Sequence, residues 1–226
     1  MDVRFLHGSS HLMVGASGAG KTFRLAEYLK RRKELISGGS EINNVVFYYS
    51  VWQPIYDSLK DNGHVTQWIK ASPSNDDFIN AVKDFKHSGG SIVCIDDQMG
   101  DISKELLEIV AVSSRHYNAT TFILFQCLFP PMRFARQISL QIKYFHLFKN
   151  PRENSQIATL ARQLYPQNWK WIVEAFHAAT GSPFSCFLID LTQTSPEKIR
   201  FRSNFLPSEF PIIVWGKKGS FNTSHI

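Results

Sequence analysis

The stretch "HLMVGASGAGKTFRLAEYL" (residues 11–29) decides the fold. A short apolar run leads into Gly15, the segment Gly15 to Gly20 precedes Lys21 and Thr22, and apolar residues then recur at helical spacing through Phe23, Ala26 and Leu29. Gly15, Gly20, Lys21 and Thr22 satisfy G-x-x-x-x-G-K-[ST], in the strand-before, helix-after context that gives the motif its meaning. Glycine lets the backbone turn sharply, so that the N–H groups of Gly15, Ala16, Ser17, Gly18, Ala19 and Gly20 face inward at phosphate oxygens. The following helix adds the positive end of its dipole. In this reading Lys21 neutralises the β and γ oxygens of ATP and the Thr22 hydroxyl ligates Mg²⁺. The alternative is a glycine-rich turn that matches the pattern and holds no phosphate.

A phosphate cradle needs a carboxylate at the end of a neighbouring strand before it can hydrolyse anything. "SIVCIDDQMGD" (91–101) supplies two, because the apolar residues Ile92 to Ile95 carry Asp96 and Asp97 to the carboxyl end of a strand. Asp96 is placed to hold Mg²⁺ through its water shell, and Asp97 to polarise the attacking water. A helix-capping aspartate with a solvated neighbour is the other explanation of such a pair. "TTFILFQ" (120–126) is the strand expected between the P-loop strand and the Asp96 strand, and it ends in Gln126, an uncharged group able to sense a γ-phosphate or water. Gln126 could equally just end the strand. Together these features resemble the additional-strand ATPases that turn hydrolysis into motion. Nucleotide kinases also need an arginine-rich lid, and no compact R-x-x-x-R cluster follows the sheet.

The rest of the chain is built to match. Apolar runs at 11–15, 44–50, 91–96, 120–126, 144–148 and 184–191 are mostly uninterrupted, as strands covered on both faces require. Amphipathic segments lie between them, and the expectation is an α/β fold, a RecA-like parallel sheet with helices on both faces. The 226 residues, 43% hydrophobic, suffice for one domain, taken as 1–207, with a final strand at 198–207 and a carboxyl-terminal tail at 208–226. The balance of 25 basic against 19 acidic residues, net +6, permits a polyanionic partner without requiring one. Cys94, Cys127 and Cys186 lie in apolar runs with no C-x-x-C spacing and read as reduced core thiols. His116 and His146 read as packing or hydrogen-bonding residues, no second metal ligand standing at helical or loop spacing. No apolar signal core and no run of 18 apolar residues is present, so a soluble intracellular protein with no membrane partner is expected.

The order "GASGAGKT", "YYSVWQPIYDSL", "IVCIDDQMGD", "SSRHYNATTFILFQCLFPP", "RQISLQIKYFHLFKNPRENSQIATLARQLYP" resembles the viral genome-packaging ATPases of the FtsK and HerA superfamily, nearest to those of polinton elements, adintoviruses and adenovirus-like DNA viruses. The resemblance runs from about Leu12 to Pro207, with "YSVWQPIYDSL" and "FKNPRENSQIATLARQLYP" its most particular parts. It implies an ATPase that assembles as a homo-oligomeric ring of five or six subunits and drives double-stranded DNA into a preformed capsid at its portal vertex. The host nucleus, a cytoplasmic virus factory or the virion would be its location. By the same resemblance Lys21 and Thr22 carry nucleotide and Mg²⁺, Asp96 the metal, Asp97 the catalytic water and Gln126 the sensor role. One departure is plain: the superfamily usually has glutamate where this chain has Asp97, one methylene shorter.

Ring motors commonly complete each site with an arginine from the adjacent subunit. Arg115 is the first candidate, since it precedes the sensor strand at the end opposite Gln126; Arg136 and Arg152 are the others, and a surface or phosphate-clamping role is open to each. For sequence-independent DNA contact the candidates are Lys104 and Arg133, the latter beside Phe129 and Phe134, while "KRRK" (30–33) reads more simply as a solvated helix face. The tail "FPIIVWGKKG" packs on its own domain or docks on a neighbour or the portal. Two other functions fit parts of the pattern: a nucleotide or nucleoside kinase, and a nucleotide-gated assembly or scaffold protein.

Overall fold

A computed structural model describes residues 2–96, 104–131, 133–152, 154–206, 209, 212–216 and 219–223, the last segment through its backbone. The strands are β1 Ser10–Val14, β2 Asn44–Tyr49, β3 Gln67–Ile69, β4 Ser91–Asp96, β5 Ala119–Phe125, β6 Tyr144–Phe148, β7 Cys186–Asp190, β8 Phe201–Ser203, β9 Ile212–Gly216 and β10 Gly219–Thr223. The principal helices are α1 Lys21–Lys30, α2 Arg32–Leu35, α3 Pro54–Asp61, α4 Asn75–Val82, α5 Lys104–Glu108, α6 Ser114–His116, α7 Ala135–Gln141, α8 Asn154–Leu164 and α9 Trp169–Ala179, with a π-helical turn, Ile109–Ser113, joining α5 to α6.

All ten strands form one sheet in the order β10-β9-β8-β7-β6-β1-β5-β4-β2-β3. β5 lies between β1 and β4 and is parallel to both, the additional-strand arrangement expected of "TTFILFQ". Successive side chains of a strand point to opposite faces, so an uninterrupted apolar strand serves two cores. Met13, Phe47, Cys94 and Leu124 pack under α1 and α3 with Leu25, Leu29 and Leu59. Leu12, Val46, Val93 and Ile123 pack on the other face, against Phe78 of α4, Ile138 of α7 and Leu160 of α8.

The expected parallel direction holds for β1 to β6 and fails beyond them. β7 pairs with β6 antiparallel, β8 with β7 antiparallel, and β9 and β10 continue that way. The cause is the connection: α8 and α9 pack as a helix pair between β6 and β7. One crossover helix returns the chain to the edge where it started and gives a parallel strand, whereas two antiparallel helices bring it back to the opposite edge. Within the segment set apart as a tail, Ile213 and Val214 of β9 pair with Ser203 and Arg202 of β8, and Ile212 and Val214 are buried. α3, α7 and the three-residue β3 are further elements that the apolar pattern leaves unmarked.

Two smaller readings change. Phe23, placed on the buried stripe of α1, is 53% exposed; the buried face is Arg24, Leu25, Ala26, Tyr28 and Leu29. Three-residue spacing from Ala26 and Leu29 reaches Phe23, but the first turn overhangs the loop and the sheet no longer lies beneath it. Cys127 is half-buried just past β5, while Cys94 and Cys186 are buried, and all three thiols are free. No helix among the described residues is long and apolar enough to cross a membrane.

Candidate nucleotide site

β1 stops at Val14, α1 starts at Lys21, and the six residues between them wrap a cavity of about 260 Å³ lined by Ser17, Lys21, Thr22, Gln53, Asp96 and Gln126, among others. Gly20 adopts φ +99°, and a Cβ there would lie 2.8 Å from Cδ1 of Phe184, so the position excludes any other residue on two counts. At Gly15 an added Cβ would meet Phe148 Cβ at 2.7 Å, which presses the loop onto β6. The Gly15 N–H donates to the Phe125 carbonyl at 3.2 Å, tying the start of the loop to the end of β5, and the Ala19 N–H donates to the Ala16 carbonyl at 3.1 Å, so these two N–H groups do not face phosphate as expected and the cradle falls to the others of the loop.

Lys21 Nζ donates to the carbonyls of Gly15 (2.7 Å) and Ala16 (3.0 Å), holding the ammonium against the loop that would receive the phosphates. Thr22 Oγ1 donates to Asp96 Oδ2 across 3.1 Å, joining the P-loop to the end of β4. Tyr56, fully buried on α3, donates its hydroxyl to the same carboxylate oxygen at 2.6 Å. The oxygens of Thr22 and Asp96 are the hard donors that Mg²⁺ takes, and the glycine-lined turn leaves a backbone nest for phosphate. The residues present therefore fit both groups: the loop, Lys21 and Thr22 could hold a triphosphate, and Thr22 with Asp96 the metal.

Gln126 is exposed on the cavity wall one residue past the end of β5. Asp97 lies outside the described residues. Arg115 sits on α6 at the amino end of β5 and donates to the Ala111 carbonyl at 2.9 Å. With β5 seven residues long, Arg115 stands roughly 20 Å of strand away from the cavity. Arg136, at the start of α7, and Arg152, just past β6, are exposed on the carboxyl edge, the same edge as the P-loop. Lys104 pairs with Glu108, and the Arg133 guanidinium lies 5.3 Å from the Phe134 ring centroid. In "KRRK", Lys30 and Arg31 pair with Glu27, while Arg32 donates to the carbonyls of Leu29 and Ile42.

Behind the loop, α1 is anchored by groups that no motif announces. Arg24, its side chain 4% exposed, makes a bidentate pair with Glu209, both contacts 2.6 Å, and donates to the Phe184 carbonyl at 3.0 Å. Deeper still, a hydrogen-bonded chain runs through the core: Tyr28 Oη to His146 Nδ1 (3.2 Å), His146 Nε2 to His11 Nδ1 (3.0 Å), and His11 Nε2 to Ser9 Oγ (3.0 Å). Ser9 donates onward to the Leu6 carbonyl. Because a carbonyl only accepts, Ser9 Oγ accepts from His11 Nε2, and with both imidazoles kept neutral by burial every link is fixed: His11 and His146 each carry the proton on Nε2. Burial, with Arg24 and Arg202 adding to it, drives the His146 pKa down to about 3. Burial and the neighbouring His146 hold His11 well below its ordinary value. His146 is thus the hydrogen-bonding core residue expected, and His116 packs edge-to-face with Tyr117.

No family model and no curated protein matches the chain. Solved structures do. The DNA-packaging ATPase B204 of Sulfolobus turreted icosahedral virus superposes with a TM-score of 0.56 at 12% identity, over 93% of this chain and 98% of that one. The genome-packaging NTPase B204 of Sulfolobus turreted icosahedral virus 2, solved with ATP-gammaS, gives 0.54 at 13% identity, over 92% and 97%. This chain therefore has an α/β P-loop ATPase fold, similar over most of its length to that of those viral packaging enzymes.

Proposed function

We propose that this chain is an ATP-driven motor that moves viral double-stranded DNA into a capsid. The observation that carries the reading is the convergence of Lys21, Thr22, Asp96 and Gln126 on one cavity at the carboxyl ends of three adjacent strands, β1, β5 and β4. Their separations in the chain make that convergence a property of the fold. The likeness to B204 supports the packaging role because it spans nearly all of both chains and not the P-loop core alone.

The loop N–H groups and Lys21 bind and orient the triphosphate. Bound Mg²⁺ supplies Lewis-acid neutralisation of the phosphate oxygens. The Thr22 hydroxyl and the Asp96 carboxylate fix its position, and Tyr56 keeps that carboxylate from turning. Asp97 takes the proton of the attacking water, and Gln126 reads whether the γ-phosphate is in place. Arg115 cannot reach the cavity of its own subunit, which suits a residue offered to a neighbour in a ring of five or six. Contacts to DNA come from Lys104 and Arg133 as sequence-independent charges, and the ring docks at the portal vertex.

The test is ATP hydrolysis by purified protein with and without double-stranded DNA, at two salt concentrations, beside Lys21→Ala. Turnover that rises with DNA, weakens with salt and disappears in Lys21→Ala supports the motor. Tight ATP binding with no DNA-responsive turnover would replace it with a nucleotide-gated assembly protein. Phosphoryl transfer to a nucleoside acceptor would replace it with a kinase.

A further inference from the structure

Phe184 carries three features that its local sequence does not explain. It is a non-glycine residue at φ +62°, a left-handed backbone that bulky side chains rarely adopt. It is 57% exposed, although aromatic. It is nonetheless held in place: its ring covers Gly20 of the P-loop, and its carbonyl accepts from the buried Arg24. A strained conformation persists only where its surroundings over-determine it, and here the surroundings turn an exposed ring toward the P-loop.

A second exposed ring faces it. Phe23, the residue after Thr22, is 53% exposed, with its centroid 6.5 Å from that of Phe184 and the ring planes 43° apart. A planar base stacked between two rings takes up two layers of about 3.4 Å each, the spacing of successive units along a nucleic-acid strand, close to the 6.5 Å separation observed. Phe23 is also the shared wall of two cavities. One is the 260 Å³ phosphate cavity; the other, about 430 Å³, lies between Phe23, Phe184, Ala179, Asn204 and Trp215. A nucleotide whose phosphates occupy the first reaches the second when its base passes the first turn of α1, where Phe23 stands.

We propose that Phe23 and Phe184 form the walls of a nucleobase subsite that takes the purine ring of the nucleotide by stacking. This rests on the nucleotide-binding reading above and deepens it. Stacking uses the π-face that every base has, and its strength grows with ring area, so the subsite favours the two-ring purines over pyrimidines and separates adenine from guanine only weakly.

The experiment compares ATP, UTP and inorganic tripolyphosphate, which has no base, by competition against 2-aminopurine riboside triphosphate, whose fluorescence is quenched on stacking. The variants are Phe23→Ala, on a helix surface, and Phe184→Asn, which tolerates positive φ, with Phe23→Trp and Phe184→Tyr as restorations. The wild type is expected to quench the probe and to bind ATP more tightly than UTP. Each truncation should weaken ATP about tenfold or more while leaving tripolyphosphate unchanged, and the aromatic replacements should recover the loss. Equal ATP binding in wild type and truncations overturns the subsite, as does parallel loss of ATP and tripolyphosphate. Failure of the wild type to bind either ligand overturns the nucleotide reading itself, and the subsite with it.

Discussion

Thr22 Oγ1 and Asp96 Oδ2 meet at 3.1 Å although 74 residues separate them, and Tyr56, from a third element, reaches the same oxygen. Asp96 is only 3% exposed, so its orientation depends on these two donors. Tyr56→Phe deletes one and keeps the ring. Outer-shell partners of metal-binding carboxylates typically carry a factor of about 10 to 100 in metal affinity or activity. A titration of ATPase rate against Mg²⁺ should therefore show Tyr56→Phe needing more metal for half-maximal rate, with Asp96→Asn inactive throughout. Unchanged Mg²⁺ dependence in Tyr56→Phe would reduce the tyrosine to a packing residue.

Gly20→Ala should lose nucleotide binding and some stability together. The left-handed backbone strains any L side chain by roughly 1–2 kcal/mol, and the new methyl would stand 2.8 Å from the Phe184 ring. A lower urea midpoint with weakened ATP binding is the expected result. The more remote Gly38, also at positive φ but with open space around it, should lose stability alone on the same substitution.

Stability should decline below pH 6.5. His11 and His146 are neutral in the folded protein with depressed pKa values, His146 at about 3. In the unfolded chain each binds a proton near pH 6.5. Below that pH the unfolded state holds more protons, so stability is full above 6.5 and drains as pH falls toward 3. The slope is about 1.4 kcal/mol per pH unit for each histidine. Urea unfolding at pH 7.5 and 5.5 measures it directly, and a flat profile would mean that the histidines take up protons in the folded core as readily as in the unfolded chain.

Removing Glu209 should cost more than an exposed ion pair would. Glu209→Ala leaves the Arg24 guanidinium buried with one strong partner gone, a loss of about 3–5 kcal/mol for a charge stranded in this way. Arg24→Met combined with Glu209→Ala should recover much of that loss, because the stranded charge is then absent. Denaturant melts of the single and double variants test the coupling.

The P-loop half of the fold was legible in the sequence because its signals are local. Glycines at fixed spacing, a lysine and threonine opening a helix, and aspartate closing an apolar strand each imply their own geometry. The position of β5 between β1 and β4 also followed, from the function that its terminal glutamine would serve. Direction in the second half was not legible: "CFLID" is buried on both faces, and an apolar run of that kind reads the same whether its neighbour is parallel or antiparallel. Only the two-helix connection before it carries the difference. Tyr56 and Arg24 were invisible for another reason, since their partners lie 40 and 185 residues away and no periodicity links them. Phe23 was misplaced because spacing identifies a face and cannot tell where the sheet beneath that face ends.

The pairing of Arg24 with Glu209 also sets an order of events. A chain emerging from the ribosome presents the P-loop helix long before Glu209 exists, and until then the guanidinium must stay in water. α1 can form early, but it cannot seat fully without stranding a charge. The ion-paired seat of α1 is thereby completed only after the 185 residues that follow Arg24 have been made.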